Sequence, residues 1–200
     1  MDNDSFSPAD SLQLIRSMIE KTRQEFSDNS IYFLVWGWGA IIGCIGQFIL
    51  KVVYQYPYHY RIWFITFICL AITIGLGIRR KQQQKVKTYV GESMGYLWNG
   101  MGISFFTASI IFMEIGWQYC FPFFILFYGL GTFVSGKILQ YKPFVYGGLV
   151  AFSLAIAAAW SPYDYQMLIA ALALLVSYII PGHMLQNRYR KTNRIKNSNT

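Results

Sequence analysis

Charge is what this sequence has least of. Lys, Arg, Asp and Glu make up 13% of its 200 residues, about half the ~25% of a soluble globular chain. A water-soluble helical protein breaks its apolar residues every three or four positions with polar ones. Here they come in blocks of about 17–20, the length that crosses a hydrocarbon core roughly 30 Å thick. That excludes an ordinary soluble fold.

Histidine and cysteine are scarce too, with two of one and three of the other. His59 falls in a loop on one side of the expected membrane and His183 at the other, so they cannot share a metal. Cys44, Cys69 and Cys120 are odd in number and have no regular spacing, which argues against a disulfide framework or a zinc site. Cys44 and Cys69 read as small buried side chains, and Cys120, beside Trp117 and Tyr119, is expected at the outer surface. There is no His-Glu-x-x-His run, Gly-x-Ser-x-Gly elbow or Gly-x-x-x-x-Gly-Lys loop. The serines within the apolar runs (Ser104, Ser109, Ser135, Ser153, Ser177) have no evident base. The sequence therefore assigns no catalytic, cofactor-binding or metal-binding residue. A net charge of +8 raises nucleic acid as a partner, but no basic recognition helix, zinc-finger spacing or aromatic-studded basic sheet accompanies it. The bases flank the apolar runs instead.

What is present is an all-α pattern: a polytopic membrane helix bundle of about six transmembrane helices, preceded by a cytoplasmic amphipathic helix. The spans are expected at 31–50, 62–78, 94–116, 122–139, 144–160 and 167–180. Pro122 and Pro143 open the fourth and fifth, and Pro181-Gly182 ends or bends the last. Residues 1–30 carry six acids against three bases. Ser7-Pro8-Ala9-Asp10 is a helix-start signature, after which Leu12, Ile15 and Ile19 recur at helical spacing. The chain thus divides into an N-terminal amphipathic segment (1–30), a six-helix membrane domain (31–186) and a basic cytoplasmic tail (187–200).

Arg79, Arg80, Lys81, Lys85 and Lys87 crowd the connection after the second span, and such clusters are held in the cytoplasm. With both termini inside, fifteen of the 17 bases are cytoplasmic, and only Lys51 and Arg61 are outside. Tyr54, Tyr56, Tyr58, Tyr60 and Trp63 around Pro57 make an aromatic belt at the outer surface. The expected location is a bacterial inner membrane. Gly39-x-x-x-Gly43 predicts close helix approach in the first span. Glycines near the inner end of the first, third and fifth spans (Gly37, Gly39; Gly100, Gly102; Gly147, Gly148) hint at triplication, for which coincidence is the better account. Gly147, Ala151, Ala155 and Ala159 make one small face of the fifth span, which predicts a packed helix.

Ionisable groups deep in a membrane mark ion or proton pathways, and none is central here. Gln47, Asn99, Glu114 and Tyr128 are the candidate polar cavity-lining residues, with helix-to-helix bonding or snorkelling as their plainer roles. Leu12, Ile15, Ile19, Arg79, Arg80 and Lys81 are candidates for cytoplasmic docking.

Three stretches carry a resemblance: Asp28-Asn29-Ser30-Ile31-Tyr32-Phe33-Leu34-Val35-Trp36-Gly37-Trp38, Lys87-Thr88-Tyr89-Val90 and Ile179-Ile180-Pro181-Gly182-His183. In them, and in their order, the chain resembles a family of small uncharacterised bacterial six-span integral membrane proteins. The resemblance implies a location and no activity.

Three functions fit. The first is a non-enzymatic scaffold or regulator acting through its cytoplasmic face, with the lipid bilayer and a cytoplasmic protein as partners. The second is a transport subunit for a neutral or lipid-like cargo. Its layout is similar to exporter permeases that pair with a separate ATPase, though Ser161 to Gln166 is too short for the larger outer segment such permeases carry. The third, a lipid-modifying enzyme, is weakest for want of a convergent site.

Overall fold

Hydrocarbon offers backbone N–H and C=O groups no partner, so a run crossing it must bond to itself as a helix. The computed structural model describes residues 8–28, 30–80 and 89–187, which are helical apart from short turns and contain no strand. A first helix, α1 (Pro8–Asp28), precedes α2 (Ser30–Phe48), α3 (Ile65–Arg80), α4 (Tyr89–Ile115), α5 (Cys120–Ile138), α6 (Lys142–Ala159) and α7 (Tyr163–Leu174). Among the described residues, six helical segments are long and apolar enough to cross a membrane. The protein is an all-α, multi-pass integral membrane protein.

Three spans exceed their regular α-helix. A π-helical turn, Ile49–Val53, extends α2, and a 3₁₀ turn, His59–Phe64, leads into α3. A second π turn, Leu175–Ile179, carries α7 on through residues 180–187. Pro181 therefore does not end the last helix. Proline lacks an N–H and its ring crowds the carbonyl four residues back, which here is Ser177. The wide turn takes up that mismatch just before the proline, with the Ile180 N–H bonded to the Leu175 carbonyl. Pro122 sits in the first turn of α5, and Pro143 opens α6. There the missing N–H would have had no helical partner anyway.

The spans form an arc. α3 packs on α2, α2 on α7, α7 on α5 and α5 on α4, while α6 backs the arc against α5 and α7. α3 and α4, the two ends, make no substantial contact with each other. α1 packs against α4 and, less, against α2. The last span is the most buried of the six and the α3 span the least.

Glycine sets the closest approaches, chiefly where α6 meets its neighbours. A Cβ at Gly136 would lie 2.6 Å from the Val145 nitrogen, and one at Gly148 would lie 2.8 Å from the Phe133 Cα. A Cβ at Gly147 would lie 2.7 Å from the Ser177 carbonyl oxygen, in the second π turn. The small face of α6 is buried at Gly147, Ala151 and Ala155, and continues through Ala158 rather than the exposed Ala159. The Gly39 and Gly43 pair does not admit a backbone. A Cβ at Gly39 would run into Cys69 Sγ, and one at Gly43 would lie 3.1 Å from the Trp63 ring. The three glycine clusters are not equivalent either, because Gly100 and Gly102 face nothing within 4 Å.

Candidate functional site

The concave side of the arc is a cavity of about 1440 Å³. Its walls come from Thr66 of α3, Ala40 of α2, Leu174 of α7, Ile125 of α5 and Phe106 of α4. Its flanking helices α3 and α4 do not pack on each other. Among the described residues, none of its lining side chains is Asp, Glu, Lys or Arg.

Chain alternation puts the turns at Tyr54–Tyr58, Gly116–Tyr119 and Trp160–Pro162 on one face of the bundle, here called the aromatic face. At that end the cavity carries a hydrogen-bonded cluster. Gln47 is 3% exposed. Its Oε1 accepts from the Trp63 indole at 2.6 Å, its Nε2 donates to the Tyr163 hydroxyl at 3.3 Å, and His59 Nδ1 lies 3.3 Å from the same nitrogen. A buried amide left unpaired would cost about 1–3 kcal/mol, so these bonds fix Gln47 and fasten α2 to the lead-in of α3 and the start of α7. Beside the cluster, Lys51 on the extension of α2 pairs with Asp164 in the first turn of α7, and its Nζ stands 4.4 Å from the Tyr163 ring centre. Asp164 also suits the positive end of the α7 dipole.

Deeper, the wall is aromatic. Phe105 lies 4.9 Å from Tyr128, Tyr128 lies 6.1 Å from Tyr178, and Tyr178 lies 5.6 Å from Trp98, all between ring centres. These distances suit tilted and edge-on ring contacts, and the row ties α4, α5 and the end of the last span together. The Trp36 indole donates to Thr73 Oγ1 at 3.0 Å, and Thr73 donates on to the Cys69 carbonyl at 2.8 Å.

Of the four polar residues picked from the sequence, Gln47, Asn99 and Tyr128 line this one cavity. Glu114 stands exposed near the end of α4 and is not among its lining residues. His59, Trp63 and Tyr163 complete the cluster without having been singled out for it. The signal was Gln47 itself, an amide in an uncharged span that needs partners. Cys120 is buried at 4% exposure, contrary to its expected place at the outer surface. It starts α5 directly after the 3₁₀ turn Trp117–Tyr119, and the turn holds the exposed positions. Leu12 and Ile15 are exposed on α1, and Ile19 is half-buried. Arg79 and Arg80 close α3, but their side chains, like Lys81, the rest of the basic loop and the tail from residue 188, lie outside what is described. Among the described residues no three His, Cys, Asp or Glu side chains gather as metal ligands would.

Comparison of the chain with protein-family models, with curated proteins and with solved structures finds no match.

Proposed function

We propose that this membrane protein binds a neutral, lipid-like molecule in the cleft between α3 and α4, as the cargo-binding part of a transport system. The observation that carries this reading is an apolar cavity of about 1440 Å³ flanked by two helices that do not pack on each other. Its volume exceeds the roughly 300–1,000 Å³ of common small-molecule pockets. Along α2 it runs from Trp36 to Gln47, about 16 Å at 1.5 Å per residue, which is close to half of a ~30 Å hydrocarbon core. A molecule occupying one leaflet fits that length. A charged cargo would lose its hydration with no counter-charge in the walls, at a cost that excludes it.

The positive-inside count supports both termini in the cytoplasm, an orientation in which the aromatic face is the outer one. The resemblance to small bacterial six-span membrane proteins supports the inner membrane as the location.

Native mass spectrometry of protein extracted from its own membrane in mild detergent tests the reading. Wild type should retain a neutral lipid, and Leu70→Trp and Gly102→Leu, which narrow the cleft from α3 and α4, should lose it. Leu149→Trp, on the exposed side of α6, should retain it. A wild type free of lipid, or equal retention by all the variants, would refute the proposal.

A scaffold role through the cytoplasmic face keeps support of its own. Leu12 and Ile15 of α1 are 59% and 52% exposed, which suits a helix awaiting a cytoplasmic protein. The two roles are compatible, since α1 packs on α4, one wall of the cleft.

A further inference from the structure

The wall of the cleft carries, near mid-membrane, two hydrogen-bonding groups that the protein leaves unused. Tyr128 stands near the middle of α5, and Asn99 is three residues from the middle of α4, about 5 Å along its axis. Both line the cavity. The Tyr128 hydroxyl and the Asn99 amide each make no hydrogen bond to the protein among the described residues. Three other polar groups at the cavity have protein partners: Gln47 bonds to Trp63 and Tyr163, Trp36 to Thr73, and Ser109 to the Phe105 carbonyl.

Unpaired amides and hydroxyls in an apolar medium cost several kcal/mol, and acyl chains offer them nothing. The polar part of a phospholipid lies at the membrane surface, about 15 Å from the midplane. An occupant that satisfies Tyr128 and Asn99 must therefore bring a polar group down to mid-depth, and an uncharged group suits the site, because no charged side chain lines the cavity among the described residues. Both residues can donate: the phenol through its O–H and the amide through its NH₂. An acceptor such as a carbonyl oxygen suits both. The wall around them is the aromatic row of Phe105, Tyr128, Tyr178 and Trp98, whose faces and edges favour a flat ring over a flexible chain.

Resting on the cleft reading above, we infer that the occupant is a neutral lipid with a carbonyl-bearing ring, the chemistry of a prenylquinone. Its ring lies against the aromatic row, with Tyr128 and Asn99 donating to its oxygens. Its tail leaves between α3 and α4. No electron transfer is part of the inference, which concerns binding alone.

The test uses the full-length protein in phosphatidylcholine nanodiscs, titrated with a benzoquinone bearing a ten-carbon tail. Quenching of tryptophan fluorescence is the signal, because Trp36, Trp63 and Trp98 line the cavity. Wild type should show a saturable component above the linear quenching of a partitioned quinone. Tyr128→Phe, which keeps the ring, and Asn99→Leu should each weaken it about five- to tenfold, the worth of one hydrogen bond. The double variant should show only the linear part, and Leu149→Ala should match wild type. Purely linear quenching in wild type, or equal affinity in Tyr128→Phe and Leu149→Ala, overturns the inference. If the quinone fails to saturate while another neutral lipid copurifies and is lost from Leu70→Trp, the ring chemistry is wrong and the cleft reading stands. If neither binds, both fall.

Discussion

Gln47 and Trp63 meet at 2.6 Å, indole N–H to amide oxygen, and the other end of the same amide reaches Tyr163, 116 residues further along the chain. One side chain thus fastens α2, the lead-in of α3 and the start of α7 to one another at the aromatic face. Gln47→Leu keeps the volume and removes the bonds, leaving the Trp63 N–H and Tyr163 O–H without this partner. Each orphaned group costs about 1–3 kcal/mol when buried, and water near the membrane surface recovers part of that. A net loss of about 2 kcal/mol is expected, read as a lower thermal midpoint in detergent. An unchanged midpoint would mean that the cluster is replaceable by water and does not hold α2, α3 and α7 together.

The glycines divide into two kinds that a stability measurement should separate. A methyl at Gly148 would sit 2.8 Å from the Phe133 Cα, so α5 and α6 would have to part. Gly148→Ala should cost about 1–3 kcal/mol, the scale of overpacking in a filled interior. Gly100 faces nothing within 4 Å, and alanine is the better helix former by about 1 kcal/mol. Gly100→Ala should leave stability unchanged or raise it slightly. Equal losses at both sites would refute the packing of α6 against α5 and, with it, the arc.

That contrast also shows what could be read from the chain alone. The six spans were legible because hydrophobic length is a local property, but their ends were less so: the third starts at Tyr89, five residues before its expected start, and the last runs on to residue 187, seven past its expected end. Gly39 and Gly43 were rightly marked as a place of close approach, but the visitors are the Cys69 and Trp63 side chains, which spacing within one helix cannot name. Gln47, Asn99 and Tyr128 were legible as polar residues in apolar runs. Their convergence on one cavity was not, because it depends on α3 and α4 standing apart although they are neighbours in sequence. No periodicity encodes a missing contact.

Burial of Cys44, Cys69 and Cys120, each at 5% exposure or less, makes the native protein a clean background for topology mapping. An impermeant maleimide should leave folded wild type unlabelled from either side. Tyr58→Cys, exposed at the aromatic face, should react in intact spheroplasts. Tyr89→Cys, exposed at the start of α4, should react only in inside-out vesicles. The reverse pattern would invert the orientation and move the mouth of the cleft to the other leaflet.

The exposed end of α1 gives the docking role a test that folding does not confound. Ile15 is 52% exposed and Ile19 half-buried, although both belong to the same apolar stripe. Most of a helix's stability in a protein comes from packing its amphipathic face, so the stripe of α1 must meet something, and the bundle covers only part of it. Ile15→Asp places a charge where nothing of the bundle is lost, and the thermal midpoint should stay within about 0.5 kcal/mol of wild type, as for surface changes generally. Ile19→Asp removes a contact as well and should cost about 1 kcal/mol or more. If a cytoplasmic protein sits on this stripe, a photocrosslinker at Leu12 should capture it in native membranes, and Ile15→Asp should abolish the capture at unchanged stability. If the stripe rests in headgroups instead, the crosslinker should label lipid in wild type and Ile15→Asp should reduce that labelling alone. A protein crosslink that survives Ile15→Asp undiminished would show that α1 is not the docking element.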